Sequence, residues 1–365
     1  MAENRSGARK DAIRVVVGED SPLMRTMIVE ALERDPGVKV VGKGADGRAV
    51  LKMAVDLKPD CITLDLEMPN MNGLETLRYI MSEWPAPVVI VSGYSGEGAG
   101  LALTCLEYGA VDFVAKTLGG SRFPADELLA KVKAAATVDV RRMRFASPEI
   151  EIGAQKRSSF APSLRSVVVI GASTGGPQAL MELLPRLPRE IPAGIVIVQH
   201  MPPDFTRFLA ERLNGLSHLD VREAEEGDAI LPGRALVAPG GMHLFLEERD
   251  RRPCVMLLGK NTLQRTACPS IDFTMTSFAP IFRERLVGVV LTGMGRDGTA
   301  GSAAVRRCGG RIICQDRESS LIHGMPGSVI DGNLADEVCP LEEIAECIAR
   351  MIRETGTREP AYERK

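Results

Sequence analysis

The sequence predicts an α/β protein made of two doubly wound parallel-sheet domains joined by a linker. Three observations predict it. Short β-forming runs alternate with helical segments over residues 12–136, a second such series covers 166–355, and the stretch 137–165 carries neither period. At 365 residues and 45% apolar composition, the chain has enough material for two cores.

In the first series, strands are expected over 13–17, 38–42, 61–64, 88–91 and 111–114, each a short run rich in valine, isoleucine or leucine. Helices are expected over 21–34, which stops before Pro36-Gly37, and over 47–58 and 127–136. Such alternation implies parallel strands joined by right-handed helical crossovers. The segment 137–165 holds Arg141-Arg-Met-Arg144, Lys156-Arg157 and Pro162 with few β-formers, which suits a solvated connector. The second series predicts strands over 167–170, 194–198, 235–238, 254–258, 286–291 and 311–314. Helices are expected between them over 178–184, 205–213, 271–282 and 299–308, with a last one over 341–353.

Bulk properties exclude several classes. A net charge of −3 gives no electrostatic reason to expect nucleic acid or an anionic membrane as partner. The N-terminal stretch is charged, and no apolar run approaches the ~20 residues a bilayer requires, so neither a signal peptide nor membrane insertion is expected. Eight cysteines occur without a C-x-x-C pair, and Cys61 and Cys314 fall inside apolar runs. They read as small buried hydrophobes of a reducing cytoplasm rather than a disulfide frame or a zinc site.

Polar residues at strand ends carry the chemistry. In the first domain Glu19-Asp20 follow strand one, Asp65 strand three, Ser92 strand four and Lys116 strand five. Ligands of open parallel sheets bind outside those carboxyl ends. Three crowded carboxylates repel, and Mg²⁺ relieves that. Asp65 then serves as phosphoryl acceptor, with the Lys116 ammonium and Ser92 hydroxyl on the phosphoryl oxygens. A single Asp after a strand is ordinarily a cap or turn residue; all four strand ends together are harder to obtain as decoration.

In the second domain the run Val167-Val-Val-Ile-Gly-Ala-Ser-Thr-Gly-Gly-Pro177 reads as a buried strand, a tight turn and a helix start. Gly171-x-Ser173-x-Gly175 has the form of a nucleophile elbow, although such a turn also serves as a phosphate loop. A serine nucleophile needs a base. Of four histidines, His200 alone closes the apolar run of the next strand; His218 lies in a polar stretch, and His243 and His323 follow or precede glycine turns. Asp297, in the glycine-rich turn after 287–291, supplies an orienting carboxylate, and Met294 of that turn is the candidate oxyanion N–H donor. The order Ser173, His200, Asp297 differs from the Ser, Asp/Glu, His order of α/β-hydrolases and disfavours that superfamily.

Gly18-Glu-Asp-Ser-Pro-Leu-Met-Arg25, Thr63-Leu-Asp-Leu-Glu-Met-Pro69 and Asp112-Phe-Val-Ala-Lys116 resemble a response-regulator receiver domain (12–136) of flavodoxin-like fold. The resemblance implies that Asp65 is phosphorylated, that Glu19, Asp20, Asp65 and the Glu67 backbone serve Mg²⁺, and that Phe113 is the aromatic switch residue beside Ser92 and Lys116. Glu19 stands where aspartate is commoner, and Thr117 replaces the usual proline after Lys116. Ile170-Gly-Ala-Ser-Thr-Gly-Gly-Pro177, Gln199-His-Met-Pro-Pro-Asp-Phe-Thr206 and Leu291-Thr-Gly-Met-Gly-Arg-Asp-Gly298 resemble the catalytic domain (166–355) of the chemotaxis protein-glutamate methylesterases, with a Rossmann-like sheet. That resemblance implies a phosphorylation-activated hydrolase that demethylates glutamate methyl esters and deamidates glutamines on chemoreceptors. It further implies a chemotaxis histidine kinase as phosphodonor, no cofactor in the esterase domain, and a receiver that obstructs the esterase until phosphorylated. The alternative is a phospho-switched binding module whose Gly-rich loop cradles a nucleotide or phosphate.

Overall fold

The computed structural model describes residues 12–93, 96–116, 123–142, 163–249, 252–259 and 267–355. The chain divides into two compact units, Met1–Met143 and Arg144–Lys365. Most of the expected linker (143–162) and the substituted position Thr117 lie outside the described residues. Among the described residues, no helix is long and apolar enough to cross a membrane.

The first unit is a five-stranded parallel sheet: β1 (Ile13–Gly18), β2 (Val38–Gly44), β3 (Cys61–Leu64), β4 (Val88–Ser92) and β5 (Asp112–Ala115), in the order β2-β1-β3-β4-β5. Helices α1 (Pro22–Glu33), α2 (Gly47–Leu57), α3 (Gly73–Glu83), α4 (Gly96–Glu107) and α5 (Ala125–Ala135) supply the crossovers. Capping explains the starts. Ser21 accepts from the Met24 N–H ahead of Pro22, Asp46 accepts from the Ala49 N–H, and Asn72 with Glu75 forms a capping box. The sequence reading omitted α3 and α4. The Asn72/Glu75 signal was present, whereas α4 begins with glycines at 96, 98 and 100, whose helix propensity is poor. Strand order reverses between β1 and β3, so residues following these two strands face a common crevice.

The second unit is a seven-stranded parallel sheet in the order β14-β13-β12-β6-β7-β9-β8. Its strands are β6 (Ser166–Ala172), β7 (Ala193–Gln199), β8 (Asp220–Glu223), β9 (Arg234–Val237), β12 (Leu286–Val290), β13 (Arg311–Gln315) and β14 (Glu337–Cys339). Every residue of β6 and β7 is buried, as strands covered on both faces require. Helices α6 (Gly176–Leu183), α7 (Phe205–Leu216), α8 (Ile271–Phe282), α9 (Thr299–Arg307), α10 (Met325–Asp331) and α11 (Leu341–Thr355) follow the strands. The core on one side gathers Val167, Val169 and Val198 of the sheet against Met275 and Phe278 of α8.

One expectation needs correction. The strand expected over 254–258 belongs to a separate two-stranded antiparallel ribbon, β10 (Met242–Arg249) with β11 (Arg252–Gly259), in the register Met242↔Gly259. A connection of two residues can only return the chain antiparallel; a parallel pairing needs a crossover of a dozen residues or more. In the sheet itself, order reverses between β6 and β12. The ends of β6, β7 and β12 therefore surround one crevice.

Candidate active site

Ser173 leaves the end of β6 in a turn closed by Gly175, whose φ of +77° suits glycine. Its backbone is fixed from both sides. The Ser173 N–H donates to the Thr292 carbonyl (3.0 Å), and the Gln199 side-chain amide donates to the Ser173 carbonyl (2.9 Å). Thr292 is itself held: its N–H donates to Gln315 Oε1 (2.8 Å), and its hydroxyl accepts from the Ile322 N–H (2.9 Å). Gly293 lets this loop pass close to the serine, because a Cβ there would lie 2.7 Å from the Ser173 Cβ.

β6 and β7 pair with Ala172 opposite Gln199, so Ser173 and His200 occupy the next step of the same register. His200 Nε2 lies 2.8 Å from Asp297 Oδ2, and both side chains are about five-sixths covered, at 17% and 16% exposure. A carboxylate at this distance favours the imidazole tautomer that carries its proton on Nε2. The Ser173 hydroxyl makes no hydrogen bond among the described residues. The structure thus joins the imidazole to the carboxylate, and leaves the serine beside them without closing the third contact.

Asp297 has more partners than a surface loop aspartate needs. Besides His200 it accepts from the Ile271 N–H (2.8 Å), the Asp272 N–H (2.9 Å) and the Ser270 hydroxyl (3.2 Å), all at the start of α8. Burial opposes its ionisation, yet the hydrogen bond and charge of His200, with these N–H groups, hold its carboxyl below the usual range. Asp272 in turn accepts from the Gly298 N–H (2.9 Å) and the Gly301 N–H (2.6 Å). Burial, reinforced by the Asp297 charge, pushes the Asp272 carboxyl up. Sequence reasoning missed Ser270, Asp272, Thr292 and Gln199. Pro269-Ser270-Ile271-Asp272 did carry a helix-start signal, but nothing in it pointed to the loop 25 residues downstream.

Met294 is 39% exposed, and its N–H makes no hydrogen bond among the described residues, so it is available to a ligand. The Gly176 N–H is not: it donates to the Ser173 carbonyl (2.8 Å). That bond also removes a donor from any phosphate cradle in this turn. His218 is exposed. His243 is wholly buried, ring-edge against Phe273 at 5.4 Å, with neither ring nitrogen partnered. Burial pushes its pKa down, partly offset by the Asp297 charge.

In the first unit, Glu19, Asp20 and Asp65 each place an oxygen within 4.8 Å of the others. Glu19 and Asp65 are buried and Asp20 is exposed. Lys116 Nζ reaches both buried carboxylates, at 3.0 Å from Glu19 Oε2 and 2.7 Å from Asp65 Oδ2. Burial first, and then Asp65, push the Glu19 carboxyl up despite Lys116. All-oxygen, mutually repelling donors of this kind fit a small hard cation. Ser92 is buried, its hydroxyl bonded only weakly to the Gly93 carbonyl (3.4 Å). Phe113 is buried, with Lys131 Nζ 5.2 Å from its ring centroid. The Glu67 N–H donates to Asp65 Oδ1 at 3.4 Å.

Comparison with known proteins assigns a family to each region. Residues 168–348 match the family model described as CheB methylesterase, and residues 15–132 match the response regulator receiver domain. A protein-glutamate methylesterase/protein-glutamine glutaminase of Symbiobacterium thermophilum is 44% identical over 94% of this chain and 98% of its own. Proteins of the same name are 42% identical in Pyrococcus abyssi, over 93% of this chain and 94% of theirs, and 41% identical in Thermotoga maritima, over 93% and 98%. The chain belongs to the CheB methylesterase family, with a response-regulator receiver domain preceding its catalytic region.

Proposed function

We propose that this chain is a serine-dependent esterase, controlled by phosphorylation of Asp65, that hydrolyses glutamate γ-methyl esters and deamidates glutamines on chemoreceptors. The observation that carries it is the His200 Nε2 to Asp297 Oδ2 contact of 2.8 Å beside Ser173, at the crevice where strand order reverses.

In the proposed mechanism Ser173 Oγ attacks the γ-carbonyl carbon while His200 Nδ1 takes the hydroxyl proton. The carbonyl π electrons move to oxygen, and the Met294 N–H donates to that oxyanion. Asp297, ionised and hydrogen-bonded, stabilises the imidazolium. Collapse breaks the carbon–methoxy bond, and the imidazolium proton leaves with methanol. With a glutamine substrate the same proton leaves with ammonia. Water then attacks the glutamyl-serine ester, His200 takes its proton, and the serine departs reprotonated. The product is a glutamate γ-carboxylate.

In the receiver, Glu19, Asp20, Asp65 and the Glu67 backbone would hold Mg²⁺, which when bound supplies charge neutralisation for a phosphoryl group. The Asp65 carboxylate accepts that group from a histidine kinase of the chemotaxis pathway. Lys116, already in contact with Asp65, stays on the phosphoryl oxygens, and Ser92 exchanges its weak bond to Gly93 for one of them. Shifting a mostly inactive population to a mostly active one takes a few kcal/mol.

Methanol release from methylated receptor membranes, with and without a small phosphodonor, tests the reading. Ser173→Ala is expected to lower the rate by about 10⁴-fold or more, and Asp65→Ala to abolish only the response to phosphodonor. Methanol release retained in Ser173→Ala would overturn the serine mechanism.

A further inference from the structure

A second feature of the catalytic unit lies beside the 291–298 turn. A cleft of about 370 Å³ is lined by Arg296, Arg317, His323, Ser328 and Asp331, among others. We propose that it is a subsite for an acidic side chain of the substrate protein, flanking the glutamyl group undergoing hydrolysis. The proposal rests on the esterase reading above and names what that site recognises besides the scissile group.

The cleft is built in register with the reacting centre. Arg296 is the residue before Asp297 and the second after Met294. Its opposite wall is bonded to the same turn: Gly293 bridges to His323, and the Gly324 and Met325 N–H groups both donate to the Gly293 carbonyl (3.1 and 2.9 Å). A group held in the cleft therefore has a fixed offset from a carbonyl held at Met294.

Its charge is unspent. Arg186, Arg222, Arg234, Arg306, Arg311 and Arg350 of this unit each pair with a carboxylate. Arg296 and Arg317 are both exposed, and neither forms an ion pair among the described residues. His323 touches the Ser320 hydroxyl at 3.4 Å; burial, aided by the Arg317 charge, lowers its pKa and favours a neutral ring. The Ser328 hydroxyl is taken by Thr299 and by the Met325 carbonyl. Asp331 offsets one guanidinium, which leaves one in excess among the lining side chains; the charges of Asp316 and Glu318, outside the lining, also reach His323.

The substrate's chemistry identifies the occupant. A methyl ester and a primary amide are both neutral, so the scissile group offers nothing for a guanidinium to select. Discrimination by charge must come from neighbouring side chains, and a planar guanidinium fork is shaped for a carboxylate. The exposed setting makes each pair modest in strength, so the effect is a preference among sites rather than a requirement.

Two peptides test this, each with one glutamyl γ-methyl ester, flanked by glutamates in one and by glutamines in the other. Methanol release by the full-length protein gives kcat/KM for each. The expected ratio favours the acidic peptide by about 5- to 10-fold, expressed in KM, and shrinks between about 50 mM and about 500 mM salt. In the Arg296→Gln/Arg317→Gln protein the ratio is expected to fall close to one. The ratio is internal to each preparation, so partial loss of folded protein does not alter it. No acidic preference in the unaltered protein, a preference indifferent to salt, or one that survives the double substitution overturns the subsite. Failure of the unaltered protein to hydrolyse either peptide overturns the esterase reading, and the subsite with it.

Discussion

Asp272 and Asp297 each hold the segment that carries the other. Asp297 accepts the Ile271 and Asp272 N–H groups that open α8, while Asp272 accepts the Gly298 and Gly301 N–H groups that open α9. Two partly buried carboxylates placed so close repel, and their surroundings divide the burden unequally. The hydrogen bond and charge of His200 overcome the burial of Asp297 and favour its ionised form. Asp272 has no cationic partner among the described residues, and burial disfavours its charge. The arrangement serves the proposed chemistry, which needs one fixed, ionised carboxylate behind the imidazole.

Asp272 is therefore expected to act as a positioning residue through its acceptor oxygen and not through its charge. Asp272→Asn keeps an oxygen toward Gly298 and Gly301 and removes the repulsion. Its thermal midpoint should stay within about 2 °C of the unaltered protein. Asp272→Ala leaves the Gly301 N–H without its acceptor and the Gly298 N–H with Asp297 Oδ1 alone (3.1 Å); it should cost about 1–3 kcal/mol, with kcat lowered about 10-fold as Asp297 loses its frame. Equal melting of the two variants would mean that the acceptor has no such role.

Asp297→Asn tests the carboxylate directly. An amide at this position can present N–H to His200 Nε2, which would move the imidazole proton to Nδ1, the nitrogen that faces the serine in the proposed mechanism. The base is then blocked. Methanol release should fall by about 10³- to 10⁴-fold, a loss in kcat more than in KM. A loss under about 10-fold would show that the tautomer is set by something else.

Acid should destabilise the catalytic region through His243. Its pKa is lowered by burial, so the folded state favours the neutral ring while the unfolded chain titrates near the ordinary imidazole value of 6.5. Stability from this group is intact above about pH 6.5 and is lost as pH falls toward the depressed folded value. His323 is shifted the same way and adds to the effect. His243→Phe keeps a ring against Phe273 and removes the titration. Its melting should fall less than that of the unaltered protein between about pH 7.5 and about pH 5.5. Identical pH profiles would exclude His243 as the sensor.

Both sheets were legible in the sequence because their central strands are buried on two faces and read as unbroken apolar runs, as at 167–170 and 194–198. Strand ends then located Ser173, His200 and Asp65 with little further information. What escaped has a common cause. β8 and β14 are short, only partly buried strands and lack such a run. β10 and β11 alternate sides, and no periodicity says that their ribbon leaves the main sheet. Asp272 and Thr292 act through backbone groups remote in sequence, and a local pattern cannot reveal which N–H a carboxylate will find. Cys61 and Cys314 were readable as buried hydrophobes, and burial pushes both thiols up to about 12.

The acidic pocket of the receiver stores a cost that a cation should remove. Glu19 is fully buried, and its carboxyl is raised first by burial and next by Asp65, with Lys116 only partly compensating. For a raised carboxyl, the stabilising contribution is present below its ordinary range and is lost as pH rises through the folded value. At neutral pH its ionised form therefore opposes folding. Glu19→Gln should raise the melting of the receiver by about 2–5 °C when no divalent cation is present. Mg²⁺ should raise the melting of the unaltered protein by removing the same repulsion, and should do so much less in Glu19→Gln, which has lost one donor charge. Reduced melting of Glu19→Gln in chelator would mean that the Lys116 ion pair outweighs burial and repulsion. An undiminished Mg²⁺ response in that variant would place the cation away from Glu19.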